Sequence, residues 1–75
     1  MTRVKVDFNA IENDVYLSML LTLARKPLRE DQRVTLFDAD GLQCQAVVDM
    51  VKGGRVRFRL DPSTFVDDPS ALVNS

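Results

Sequence analysis

An all-β fold is what this sequence predicts, and three features carry the prediction. Arginines alternate strictly with apolar residues through Arg55-Val56-Arg57-Phe58-Arg59-Leu60, and a strand turns successive side chains to opposite faces. The same alternation runs through Val4, Val6, Phe8 and Ala10, and in another phase through Val15, Leu17, Met19, Leu21 and Leu23. Turn-forming groups separate the runs at short intervals, at Asn13-Asp14, Asp38-Ala39-Asp40-Gly41 and Gly53-Gly54, which is the punctuation of short strands.

The first two runs match as a hairpin. With Asn13-Asp14 as a two-residue turn, Ala10 opposes Leu17, Phe8 opposes Met19, Val6 opposes Leu21 and Val4 opposes Leu23, so every pair is apolar. A helix over residues 14–24 is the competing reading, because Leu17, Leu20, Leu21, Ala24 and Leu28 also share a helical face. The hairpin is preferred because a helix leaves the strand from Val4 to Phe8 without a partner. Residues 24–32, A-R-K-P-L-R-E-D-Q, are polar around Pro27 and read as a loop anchored by Leu28.

Arg33-Val34-Thr35-Leu36-Phe37 opens a second hairpin. Its loop, Ala39-Asp40-Gly41, sets Leu36 opposite Cys44 and Val34 opposite Ala46, with Gly41 in the left-handed region. Gly53-Gly54 marks a third hairpin leading into the arginine strand. Ala46, Val47 and Val48 are apolar on both phases, which predicts a bulge or a strand buried on both faces.

Asp61-Pro62-Ser63-Thr64-Phe65 reads as a single helical turn near residues 61–66, with Asp61 as N-cap and Pro62 in first position. Residues 66–75 are acidic and weakly patterned; they read as a flexible tail in which only Leu72-Val73 could dock. The expectation is one domain over residues 1–65 followed by that tail. Because a flat sheet of five short strands leaves long edges, the strands predict a small five-stranded antiparallel barrel, SH3-like or OB-like.

Seventy-five residues support one small core. A domain of this size buries only about 60% of the surface of its unfolded chain and leaves little room for an enzyme cleft. There is no histidine and one cysteine, so Cys44 has no disulfide partner in the chain and no imidazole to activate it or to share a zinc ion. It reads as a small core residue. The carboxylates are scattered over turns and the tail, and no set of nucleophile, base and charge stabiliser emerges. An enzyme, a cofactor and a metal are therefore not expected.

Asp38, Asp40 and Gly41 resemble the opening of a calcium loop, but Leu42 stands where a third ligand is needed and Asp49 where a glutamate is required. A hairpin turn explains them. The longest apolar stretch, Val15 to Ala24, is broken by Ser18 and Thr22 and is too short to span a membrane, and no signal-peptide order opens the chain. A cytoplasmic protein without membrane contact is the expectation.

Two surfaces stand out. Ile11, Tyr16 and Leu20 fall off the predicted core face and form an apolar cluster of the kind that marks an interface; the competing reading has Leu28 or residues 65–73 covering them. Arg55, Arg57 and Arg59 lie about 7 Å apart along one strand face, near the spacing of phosphates on a single nucleic-acid strand. If the first and last strands adjoin, Arg3 and Lys5 extend that row. No aromatic residue is expected beside the arginines, and a solvated strand face is the competing reading. The net charge of -1 gives no global attraction to nucleic acid.

Arg25 and Arg29 in R-K-P-L-R resemble the R-x-x-x-R anion clamp of the PilZ domain, a cyclic-dinucleotide-binding barrel. That family's second motif, D/N-x-S-x-x-G, is not supplied by Asp38-Ala39-Asp40-Gly41, and the resemblance spans five residues. A solvated basic loop balanced by Glu30 and Asp31 is expected. The sequence thus predicts a non-enzymatic protein-interaction module, self-associating as a homodimer or part of a larger assembly, through Ile11, Tyr16 and Leu20. Its alternative is a nucleic-acid-binding barrel using Arg3, Lys5, Arg55, Arg57 and Arg59.

Overall fold

The computed structural model describes residues 2–13 and 15–67. Seven strands carry the fold: β1 (Thr2–Lys5), β2 (Ile11–Glu12), β3 (Tyr16–Leu20), β4 (Arg33–Phe37), β5 (Leu42–Lys52), β6 (Arg55–Leu60) and β7 (Val66–Asp67). One helical turn, α1 (Leu21–Ala24), and single 3-10 turns at Phe8–Ala10 and Pro62–Thr64 complete it. The strands run in the order β1-β4-β5-β6-β3-β2, with β7 added on β5. The eleven-residue β5 meets β7 at its start, β4 through its first half and β6 through its second.

The inward phase of these strands is the core. Val4, Leu17, Val34, Leu36, Cys44, Val48, Val56 and Phe58 are all but inaccessible to solvent. Leu28 is buried with them and pins the loop after α1, as its place in a polar stretch predicts. The second hairpin has the predicted register, Leu36 opposite Cys44 and Val34 opposite Ala46. Gly41 takes φ 95°, and Asp38 Oδ1 accepts from the backbone N–H groups of Asp40 and Leu42. In the third, Gly53 and Gly54 take φ 61° and 75°, the paired positive values of a two-residue turn that follows the strand twist. The ambiguous Ala46-Val47-Val48 stretch pairs regularly with Leu60, Arg59 and Phe58, and a bulge follows it. Val48 opposes Phe58 and Met50 opposes Arg57, leaving Asp49 as the extra residue.

The chain is mostly β, as the sequence predicts, with short helical turns between strands; the closed, wholly antiparallel five-stranded barrel does not describe this sheet. β1 pairs with β4 in parallel, Val4 beside Leu36, and among the described residues no ladder joins β1 to β2 or β3. The first hairpin is therefore corrected. Asp7 caps a 3-10 turn by accepting from Asn9 N, which ends β1's run before Phe8. Phe8 then packs edge-to-face on Phe65, ring centroids 5.3 Å apart, instead of opposing Met19.

What survives of that hairpin is β2 on β3, with Ile11 opposite Leu17 and Glu12 opposite Tyr16. This is one residue out of the predicted register, and such a slip moves side chains to the other face. The segment over residues 14–24 is strand for Tyr16–Leu20 and helical for Leu21–Ala24, so each competing reading holds for part of it.

Asp61 caps the turn at Pro62–Thr64 as predicted, its Oδ1 accepting from Ser63 N. The sequences from Asp7 and Asp61 thus build the same device twice: a strand, a capped 3-10 turn, then a two-residue strand. Val66 and Asp67, read as the start of a tail, pair with Gln43 and Leu42. The rest of that tail, Leu72-Val73 included, lies outside the described residues.

Candidate binding surface

Because Val56, Phe58 and Leu60 point inward, Arg55, Arg57 and Arg59 point out. β6 lies between β3 and β5, so the arginine row is flanked on both sides. Tyr16 stands beside Arg59, Ser18 beside Arg57 and Leu20 beside Arg55. On the other side stand Val47 beside Arg59, Met50 beside Arg57 and Lys52 beside Arg55. Beyond Val47 comes Arg33 of β4. The four long strands β3 to β6 carry five basic residues, Arg33, Lys52, Arg55, Arg57 and Arg59, against the single carboxylate of Asp49.

That carboxylate is placed by the bulge. Asp49 Oδ2 accepts from Arg57 Nε at 2.6 Å and lies 2.5 Å from Arg57 Nη2. The other face of the same guanidinium covers an aromatic ring, with Arg57 Cζ 4.9 Å from the centroid of Tyr16. Arg57 is thereby held in one orientation at the centre of the row by a charge and a ring together. The expectation of an arginine face without an aromatic neighbour is corrected by this contact. It was hidden because Tyr16 is brought to β6 by pairing with Arg59, a residue far along the sequence.

The three apolar residues read as one interface do not share a face. Ile11 opposes buried Leu17 and packs against the core, whereas Tyr16 and Leu20 look out beside the arginines. Nor does β1 adjoin β6, since β4 and β5 lie between them. Arg3 and Lys5 gather instead near Arg25 and Lys26. Arg29, the second arm of the R-x-x-x-R stretch, does not join Arg25 there. The loop's own acids serve the backbone: Glu30 Oε2 accepts from Val51 N just past the bulge.

Arg33 is the residue that sequence reasoning missed. Its signal was present, since it shares the outward phase of Arg33-Val34-Thr35-Leu36-Phe37, but only the β4–β5–β6 register sets it across Val47 from Arg59. A shallow cavity of about 600 Å³ lies there, with Arg33, Arg59, Val47 and Pro62 in its lining.

Cys44 is buried, and its Sγ lies within hydrogen-bonding reach of the Gln45 and Asp61 carbonyls and of Thr64 Oγ1. Burial pushes its thiol above the ordinary value, only partly offset by hydrogen bonding with the Thr64 hydroxyl and the Asp61 backbone. Among the described residues no group of three or more acidic, cysteine or histidine side chains is placed to hold a metal ion, and no helix is long and apolar enough to cross a membrane. Comparison with protein-family models, with curated proteins and with solved structures finds no match to this chain.

Proposed function

We propose that this chain is a non-enzymatic binding module, an SH3-like or OB-like platform open along one side, whose β3–β6 face binds single-stranded nucleic acid. The observation that carries the reading is the row Arg55, Arg57, Arg59 with Arg57 seated over Tyr16. Regularly spaced guanidinium groups track a phosphate backbone, and an aromatic at their side gives a base a surface to stack on. Acidic residues are concentrated in turns and the tail, so a net charge near zero does not describe this face. The test is fluorescence anisotropy of a labelled oligothymidylate. Binding is expected to weaken with salt and to vanish on the triple change of Arg55, Arg57 and Arg59 to Gln. Equal binding by that variant would sink the reading.

A second reading, self-association or a protein partner, is favoured by Leu20 and Met50, which are 47% and 37% exposed on this same face. Light scattering after size exclusion at low and high salt separates the two. A dimer that ignores salt and dissociates on Leu20→Lys supports the protein interface; a monomer at both salts leaves the face to nucleic acid.

A further inference from the structure

Between β1 and the end of α1 the surface opens into a depression of about 840 Å³. Four cationic side chains line it, Arg3, Lys5, Arg25 and Lys26, together with the apolar Leu23 and Phe37, and no carboxylate does. The cluster comes from three separate stretches of chain. Arg3 and Lys5 share the outward phase of β1, Phe37 is the end of β4, and the chain turns after Ala24 with Arg25 in the left-handed region at φ 56°. Lys26 Nζ donates to the carbonyl oxygen of Arg3, which ties the loop to the free edge of β1.

Arg3 is held in place by Phe37, its Cζ 4.8 Å from the ring centroid. Its Nε and Nη2 are cut off from solvent, and no atom of the described residues accepts a hydrogen bond from either. Buried donors without an acceptor are rare because leaving them unmade is costly, and converging like charges add their own repulsion. An anion with several acceptor oxygens, seated among the four cations, relieves that repulsion. A phosphoryl group, with more charge and one more oxygen than a carboxylate, matches four cations better than a monoanion does.

We infer that this depression is a second binding site, which takes a small phosphate-bearing molecule with its phosphoryl group seated among the cationic side chains of Arg3, Lys5, Arg25 and Lys26. Lys5, Arg25 and Lys26 supply the remaining charge, and Leu23 walls one side. The site does not depend on the arginine row of β6, which lies beyond β4 and β5.

The probe is inorganic pyrophosphate, titrated at constant ionic strength against the ¹⁵N-labelled protein and followed by the Arg Nε–H and backbone amide resonances. Saturable shifts at Arg3 Nε–H and at the amides of Arg25 and Lys26 are expected. Arg3→Gln is expected to weaken binding by about tenfold or more, since the group removed makes charge-assisted hydrogen bonds. Arg25→Gln, at an exposed position, keeps the test open should Arg3→Gln fail to fold. It is expected to weaken binding at least about threefold, the effect of removing one nearby charge. Neither change should alter oligothymidylate binding by the β6 face. Shifts that rise linearly, that sodium chloride reproduces, or that survive both substitutions would overturn the site.

Discussion

Asp49 is the single carboxylate within β3 to β6, so Asp49→Asn gives a signed prediction: the variant binds single strands more tightly although it loses an ion pair. In the wild type β3 to β6 carry Arg33, Lys52, Arg55, Arg57 and Arg59 against Asp49. If each net positive charge engages one phosphate at about 0.7 in the log–log salt slope, that slope is about −2.8, and about −3.5 in the variant. A rise from about 50 to about 200 mM salt then weakens the wild type roughly 50-fold and the variant roughly 130-fold. With equal affinities near 1 M, Asp49→Asn binds about eightfold tighter at about 50 mM salt and about threefold tighter at about 200 mM.

The stability cost of that change is small. Arg57 and Asp49 are 41% and 26% exposed, and an ion pair so placed is worth about 0.5 kcal/mol. Urea denaturation reads that cost, and anisotropy across the salt series reads the slopes. Unchanged affinity, or an unchanged slope with the fold intact, would refute the account of Asp49 as the face's counter-charge.

Three further predictions concern the scaffold. Phe58 is fully buried where β6 crosses β3 and β5; Phe58→Ala should cost about 3–5 kcal/mol. That is a large share of the roughly 4–11 kcal/mol expected for a chain of this length, so the urea midpoint should fall by about a quarter or more. Gly53 has open space around its Cα but φ 61°. Gly53→Val should therefore destabilise by about 1–2 kcal/mol through backbone strain alone, with Gly53→Asn costing distinctly less in the same assay. The third concerns pH. Cys44's thiol is raised in the fold, so the native state holds its proton after the unfolded chain has lost it, and stability falls as pH climbs above about 9. Thermal melts should show a shallower alkaline decline for Cys44→Ala than for the wild type.

Much of the fold was legible because its signals are local. Asp38 through Gly41 specified a loop and with it the register of β4 on β5; Gly53-Gly54 marked the turn from β5 to β6 but left their register open, because Ala46-Val47-Val48 is apolar on both phases, and Asp61-Pro62 specified the capped turn. The first strand was misread for a physical reason. Val4 and Val6 present an apolar face that fits β3 or β4 equally well, and alternation says nothing about parallel or antiparallel pairing. The choice fell to Asp7, whose cap turns the chain before a hairpin can continue.

The same limit governs the surface. Arginine spacing within β6 was visible in six consecutive residues, but Tyr16 and Arg33 join it only through pairings between distant segments, and Asp49 through the register of the neighbouring β5–β6 hairpin. Asp49 was further obscured by the bulge, which shifts phase in the middle of β5. Ile11 was assigned to the wrong face by the same one-residue slip that displaced the first hairpin.

The most direct test of the central claim is to titrate ¹⁵N-labelled protein with an oligothymidylate and map the shifted resonances. The account predicts saturable changes confined to outward positions of β3 to β6, strongest at the Nε–H groups of Arg55, Arg57 and Arg59 and at the amides around Tyr16. Changes centred on β1 and α1, or none at low salt, would contradict it.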